Sequence, residues 1–184
     1  MLFNTHSNLV GQHAFLGPSK YHWINYDAEK LATVYANAKA AQLGVELHAF
    51  AHEAIRLGIK MPRTAKSLNM YVNDAIGFRM TTEQILFYSV NCYGTCDTIS
   101  FRNNLLRIHD LKTGIASGSE HQLEIYAALF CLEYNKKPGE INMELRIYQD
   151  ENDQVWNPEV DIIAHIMSKI ITFDKQIEKL KIEG

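Results

Sequence analysis

The sequence predicts an α/β fold with a central mixed sheet flanked by helices and a long C-terminal helix. Three observations carry this prediction. Helical patterns fill the chain up to about Ile76, with Ala-, Glu- and Lys-rich stretches and apolar residues spaced by three and four. Three short apolar runs joined by turn residues follow, between Gln84 and Leu111. One more helical pattern, one alternating run and a final helical stretch complete the order. Helices, a three-strand meander, helix, strand, helix is an order that buries its apolar faces as a sheet covered by helices.

Each element has a local reason. His13 to Tyr26 is aromatic and turn-rich, with Gly17-Pro18-Ser19 as a helix start. Asp27 to Gln42 reads as a helix. Gly44 is expected to interrupt it, and a second helix to run from Val45 to Leu57. Leu68, Tyr71, Val72, Ala75 and Ile76 mark a third. Gln84 to Val90 looks like a buried strand. Thr98–Phe101 and Leu105–Leu111 form a hairpin turning at Arg102-Asn103-Asn104. After Gly114 and Gly118, Glu120 to Asn135 reads as an amphipathic helix closed by Pro138-Gly139, and Ile141 to Tyr148 as a further strand. Asn157 as N-cap with Pro158 at the first helical position starts the terminal helix, residues 157–184. Its Ile163, Ile166, Ile170, Phe173, Ile177 and Leu180 repeat as in a heptad seam. The seam suits packing on the chain's own domain first and a subunit contact second.

With 184 residues, 47% hydrophobic and 21% charged, the chain suits one globular domain that needs no metal or disulfide staples. No apolar run reaches the roughly 18 to 20 residues that cross a bilayer, so no membrane partner is expected. Met1 to Gln12 lacks the pattern of a secretory signal. Cys92, Cys96 and Cys131 form an odd set without a CxxC pair, which fits a reduced, cytoplasmic setting. The net charge of −3 disfavours a broad basic DNA-binding surface. Arg56, Lys60, Arg63, Lys66 and Arg79 nevertheless fall in a segment whose only acid is Asp74. They read either as phosphate contacts or as a solvated helix surface.

The chemistry concentrates at Asp97 and at Asp110-Leu111-Lys112, the single D/E-x-K triple in the chain. Asp110 and Lys112 sit two apart on a strand, so both leave the same face, and the hairpin brings Asp97 near. Two carboxylates with a backbone carbonyl make an oxygen-rich site suited to Mg²⁺ or Mn²⁺. A neighbouring ammonium can orient water or offset charge on a reacting phosphate. The alternative is an ion pair at a strand end. His48 and His52 share a helical face, but no H-E-x-x-H order supports zinc. His109 points to the opposite sheet face and reads as structural. Cys92 and Cys96 read as packing residues, since no base is paired with them.

Gly94-Thr95-Cys96-Asp97, then Asp110-Leu111-Lys112-Thr113-Gly114, then Gln122 to Tyr126 resembles the RecB-type branch of the PD-(D/E)XK nucleases. That branch shows G-x-x-D, D-x-K-T-G and Q-x-x-x-Y in this order. Gly44 to His48 is similar to its G-x-x-x-H helix, and Ser19, Tyr21 and Trp23 are loosely similar to its first motif. The resemblance covers roughly residues 17–150, and Cys96 stands where the superfamily name has proline.

The resemblance implies a restriction-endonuclease-like core. It also implies a metal held by His48, Asp97, Asp110 and the Leu111 carbonyl, with Lys112 serving the nucleophilic water. Gln122 and Tyr126 would contact substrate or brace the site. It further implies a Mg²⁺- or Mn²⁺-dependent deoxyribonuclease, an exonuclease before an endonuclease, acting on DNA in recombination, repair or processing. Short chains of this kind resemble phage or prophage recombination exonucleases, which allows a homo-oligomer and a recombination partner protein. Three scattered cysteines cannot supply the four of the branch's iron–sulfur cluster, so none is expected. A non-catalytic nucleic-acid-binding protein on the same fold is the remaining alternative.

Overall fold

The Asn103–Asn104 turn shows how the sheet is assembled. Both residues have positive φ, 50° and 59°, as a two-residue type I′ hairpin requires. They join β2 (Cys92–Arg102) to β3 (Leu105–Leu111). The computed structural model from which this geometry comes describes residues 4–114 and 119–183. Gly118 and Gly184 therefore lie outside the described residues.

The chain divides into two compact units, one ending at Leu43 and one starting at Gly44. In the first, a 3₁₀ stretch Pro18–Asn25 begins with its proline, as the sequence predicts. The Trp23 indole N–H donates to the Gly17 carbonyl at 3.1 Å, and the Phe15 ring meets Tyr35 edge-on. The Asp27 carboxylate accepts from the Lys30 N–H at 2.7 Å and so caps the helix that follows.

The second unit holds a five-stranded sheet of order β1-β2-β3-β4-β5. Its remaining strands are β1 (Thr81–Ser89), β4 (Asn142–Gln149) and β5 (Asn152–Trp156). All neighbours are antiparallel except β3 and β4, which are parallel. A parallel pair needs a crossover, and helix α3 (Glu120–Glu133) lies between β3 and β4 in the chain. This confirms the α/β fold with a mixed sheet, flanking helices and a long terminal helix. One sheet face packs α3, with α4 (Val160–Glu183) beyond it, around Leu106, Ile108, Leu123 and Ile163. The other packs α2 (Ser67–Gly77) and the end of α1 (Ala28–Leu57) around Ala51, Tyr71, Val72 and Leu111. Among the described residues no helix is long and apolar enough to cross a membrane.

Several local expectations are corrected. Helix α1 runs unbroken from Ala28 to Leu57, through Gly44. A Cβ at Gly44 would stand 2.7 Å from Thr113 Oγ1, so this glycine serves a close approach and not a break. β1 is an edge strand in which only Leu86 is buried, not a buried strand. Helix α3 is buried on most sides because it has the sheet on one side and α4 on the other, so it is not amphipathic.

The terminal helix starts at Val160, after the added strand β5, so Asn157 is not its N-cap. β5 follows another two-residue turn with positive φ, at Asp150 (51°) and Glu151 (60°). The heptad seam is divided. Ile163, Ile166 and Ile170 pack on the core, while Phe173 and Leu180 remain 54% and 66% exposed.

Candidate active site

Strand register sets the centre. Thr98 pairs with His109, so Asp97 and Asp110 fall next in register and on the same face, the one that packs α3. Like charges facing across a strand pair repel. The pair is also shielded from water: Asp110 is only 4% exposed. Burial, then the charge of Asp110, pushes the Asp97 carboxyl up to about 6, with Glu83 adding to the rise. The Leu111 N–H, donated to Asp97 Oδ2 at 3.1 Å, and His48 act against it. Nδ1 of His48 lies 3.4 Å from Asp97 Oδ2.

Lys112 supplies the positive charge. Its Nζ donates to Asp110 Oδ1 at 3.1 Å and to Gln122 Oε1 at 2.9 Å. It also lies 2.8 Å from Asp110 Oδ2, but that buried oxygen is left without an aligned donor. The Lys112 N–H bonds to the Tyr148 carbonyl at 2.9 Å, which extends the β3–β4 pairing by one residue and fixes the stem of the side chain.

The glycines of the sequence motifs explain how these parts meet. Gly44, one helical turn before His48, lets α1 pass against Thr113, the residue after Lys112. A Cβ on Gly94 would meet the Tyr126 ring at 3.0 Å. The Tyr126 hydroxyl donates to the Thr95 carbonyl at 2.6 Å, which ties α3 to β2 two residues from Asp97. Each predicted site residue is thus in contact with another or with its motif: His48 with Asp97, Asp97 with Leu111, Asp110 with Lys112, Lys112 with Gln122, and Tyr126 with Thr95. The ion-pair alternative is half met, since the pair exists, but at a buried carboxylate and not on the surface.

Two groups near the site, Glu83 and Tyr71, escaped sequence reasoning. Glu83, opposite Asp97 in the β1–β2 register and at φ 52°, adds negative charge toward Asp97. No spacing signal marks it. Tyr71 is buried beside Thr98, and its hydroxyl is pushed well up by burial and by Asp97. Thr113, a residue of the D-x-K-T-G motif, has its packing against Gly44 as a role the motif alone does not give. Cys96 is fully buried, and burial pushes its thiol up to about 12, so it is a packing residue and not a nucleophile. His109 is likewise enclosed, between Phe78 and Tyr148.

Among the described residues no three His, Cys, Asp or Glu side chains are grouped closely enough in this arrangement to hold an ion by themselves. The donor chemistry nonetheless fits a hard divalent cation. Two adjacent carboxylates, one with an orphaned buried oxygen, an imidazole beside them and the Leu111 backbone form such a set. No protein-family model matches the chain, and no curated protein or solved structure matches it either.

Proposed function

We propose that the chain is a metal-dependent deoxyribonuclease, with an exonuclease as the first reading, that hydrolyses DNA phosphodiesters with Mg²⁺ or Mn²⁺. One observation carries the reading. A buried carboxylate, Asp110, and a part-buried one, Asp97, face each other with a single ammonium between Asp110 and Gln122, and the parts come from α1, β2, β3 and α3. Such a cluster costs stability unless a cation and a charged substrate complete it.

Asp97, Asp110, His48 and the Leu111 carbonyl would hold the cation. When bound, it polarises a phosphoryl oxygen and makes a water more acidic. Lys112, partly open to solvent, offers N–H donors where negative charge grows on the phosphate. Gln122 holds that ammonium in place through its amide oxygen. His48, also partly open, keeps Asp97 oriented, and the Tyr126–Thr95 bond keeps α3 registered on β2. A homo-oligomer and a recombination partner protein are compatible with this reading.

The test is incubation with linear and covalently closed circular DNA and Mn²⁺, with and without chelator. Loss of the linear form alone supports an exonuclease, and loss of both an endonuclease. Metal-independent loss, or none, contradicts the proposal.

A further inference from the structure

On the α2 side of the sheet, at the end far from Asp110, a cavity of about 410 Å³ opens between the C-terminus of α2 and the β2–β3 turn. Arg79, Arg102 and Arg107 line it, with Asn103, Asn142 and Phe78. No carboxylate is found among the described residues that line it. In a chain of net charge −3, three arginines around one hollow reverse the sign locally.

The three arginines differ in state. Arg107 bonds to Glu144 at 3.3 Å and stacks over Phe78 at 4.3 Å, so its position is fixed and its charge is matched. The guanidinium groups of Arg79 and Arg102 are exposed and have no ion-pair or hydrogen-bond partner among the described residues. Two uncompensated forks therefore flank a third that is held in place.

The backbone supplies a second observation. The turn that closes α2 places Arg79 at φ 53°, where glycine or asparagine is the unstrained choice. Keeping arginine there trades backbone strain for a cation, and such strain gathers at binding sites. Three of the last carbonyls of α2, those of Asp74, Ala75 and Ile76, which would repel an anion, accept from the N–H groups of Phe78, Met80 and Arg79.

We infer that this hollow binds a phosphate group, specifically a backbone phosphate of DNA, remote from the centre at Asp110. The inference rests on the nuclease reading above for its ligand, not for its geometry. Arginine forks match phosphate oxygens two at a time, and the amide groups of Asn103 and Asn142 add neutral donors. From Leu105 to Asp110 the strand covers about 17 Å at roughly 3.4 Å per residue. One phosphate cannot reach both places, so the hollow anchors DNA and takes no part in cleavage. DNA is chosen over a free anion because a weak single contact gains strength when the same chain is held elsewhere.

The experiment measures anisotropy of a short fluorescein-labelled duplex over a salt series, with chelator present so that nothing is cut. The double variant Arg79→Gln/Arg102→Gln should bind about tenfold more weakly, and its logarithmic salt slope should fall by about one. Unchanged affinity and slope overturn the inference. Arg79→Gly guards against a folding artefact: it should melt at a higher temperature yet still bind DNA more weakly, and equal binding counts against the site. Calorimetry with inorganic phosphate separates the sources. Heat that depends on both arginines, with equal DNA binding by wild type and double variant, assigns a free-anion site and overturns the DNA assignment.

The two readings fail separately. If wild type cleaves DNA and the double variant binds as well as wild type, the anchor is wrong and the nuclease stands. If wild type binds DNA through these arginines but never cleaves it, the anchor stands and the nuclease falls.

Discussion

On the α2 side of β3, Glu144 meets Arg107 at 3.3 Å, Arg146 at 3.4 Å and the His109 ring at 3.5 Å. On the α3 side, one residue further along β3, Asp110 faces Asp97. In the first cluster the carboxylate has two arginine partners. The His109 ring beside it, then Arg107 and Arg146, hold the Glu144 carboxyl down to about 2. Arg146 reaches on to Asp74 and Asp153, and Tyr148 donates to Asp74 at 2.7 Å. In the second, two carboxylates share one ammonium, and Asp97 moves the other way, up to about 6. A carboxyl raised on folding adds stability below its unfolded value and loses it as pH rises through the folded one, so ionised Asp97 works against the fold at neutral pH. Neighbouring positions on one strand thus differ: one face matches its carboxylate with two arginines, and the other sets two carboxylates against one ammonium.

The comparison breaks if the faces respond alike. The largest effect should come from Asp110→Ala or Lys112→Ala, each lowering DNA cleavage by at least about 100-fold in a gel time course. Glu144→Ala should instead lower the unfolding free energy by about 3 kcal/mol, read from urea melts, because Arg107 and Arg146 lose a shared partner. Mn²⁺ should raise the melting temperature of wild type by a few degrees and leave Asp97→Asn unmoved, since only ligation to the folded chain stabilises it.

Acid sharpens the contrast on the Glu144 side. The Glu144 carboxyl is depressed from 4.5 to about 2. Its stabilisation is complete above the unfolded value and is lost as pH falls through the folded one. Wild type should therefore lose stability over that window more steeply than Glu144→Gln. The smallest effect should come from Gln122→Ala. It releases Lys112 without removing charge, so cleavage should fall by about tenfold, the size of one hydrogen bond to a charged group.

Where packing and local turn chemistry agree, the residues announce the structure. β3 was legible to the residue, and the two asparagines of its hairpin carry the positive φ that their small polar side chains tolerate. The candidate site residues were legible because the proposed chemistry needs fixed spacing: Asp110 and Lys112 two apart at the end of a strand, Gln122 and Tyr126 one turn apart on a helix. Elements whose cause lies elsewhere in the fold were not. Gly44 looks like a helix breaker until Thr113 is seen against it. β5 is polar and mostly exposed, and its turn uses Asp150 and Glu151 where Asn-Gly would be expected, so neither pattern nor punctuation marks it. Glu83 falls opposite Asp97 in the β1–β2 register at a positive φ of 52°, which no local signal encodes.

The central claim is that the Asp97–Asp110 pair serves chemistry at the expense of the fold. Its most direct test is Asp110→Asn, assayed for degradation of linear duplex DNA with Mn²⁺ beside wild type, with both proteins first melted thermally. The account predicts a variant that is inactive and at least as stable as wild type. A variant that still degrades DNA, or one that is inactive only because it unfolds more readily, would contradict it.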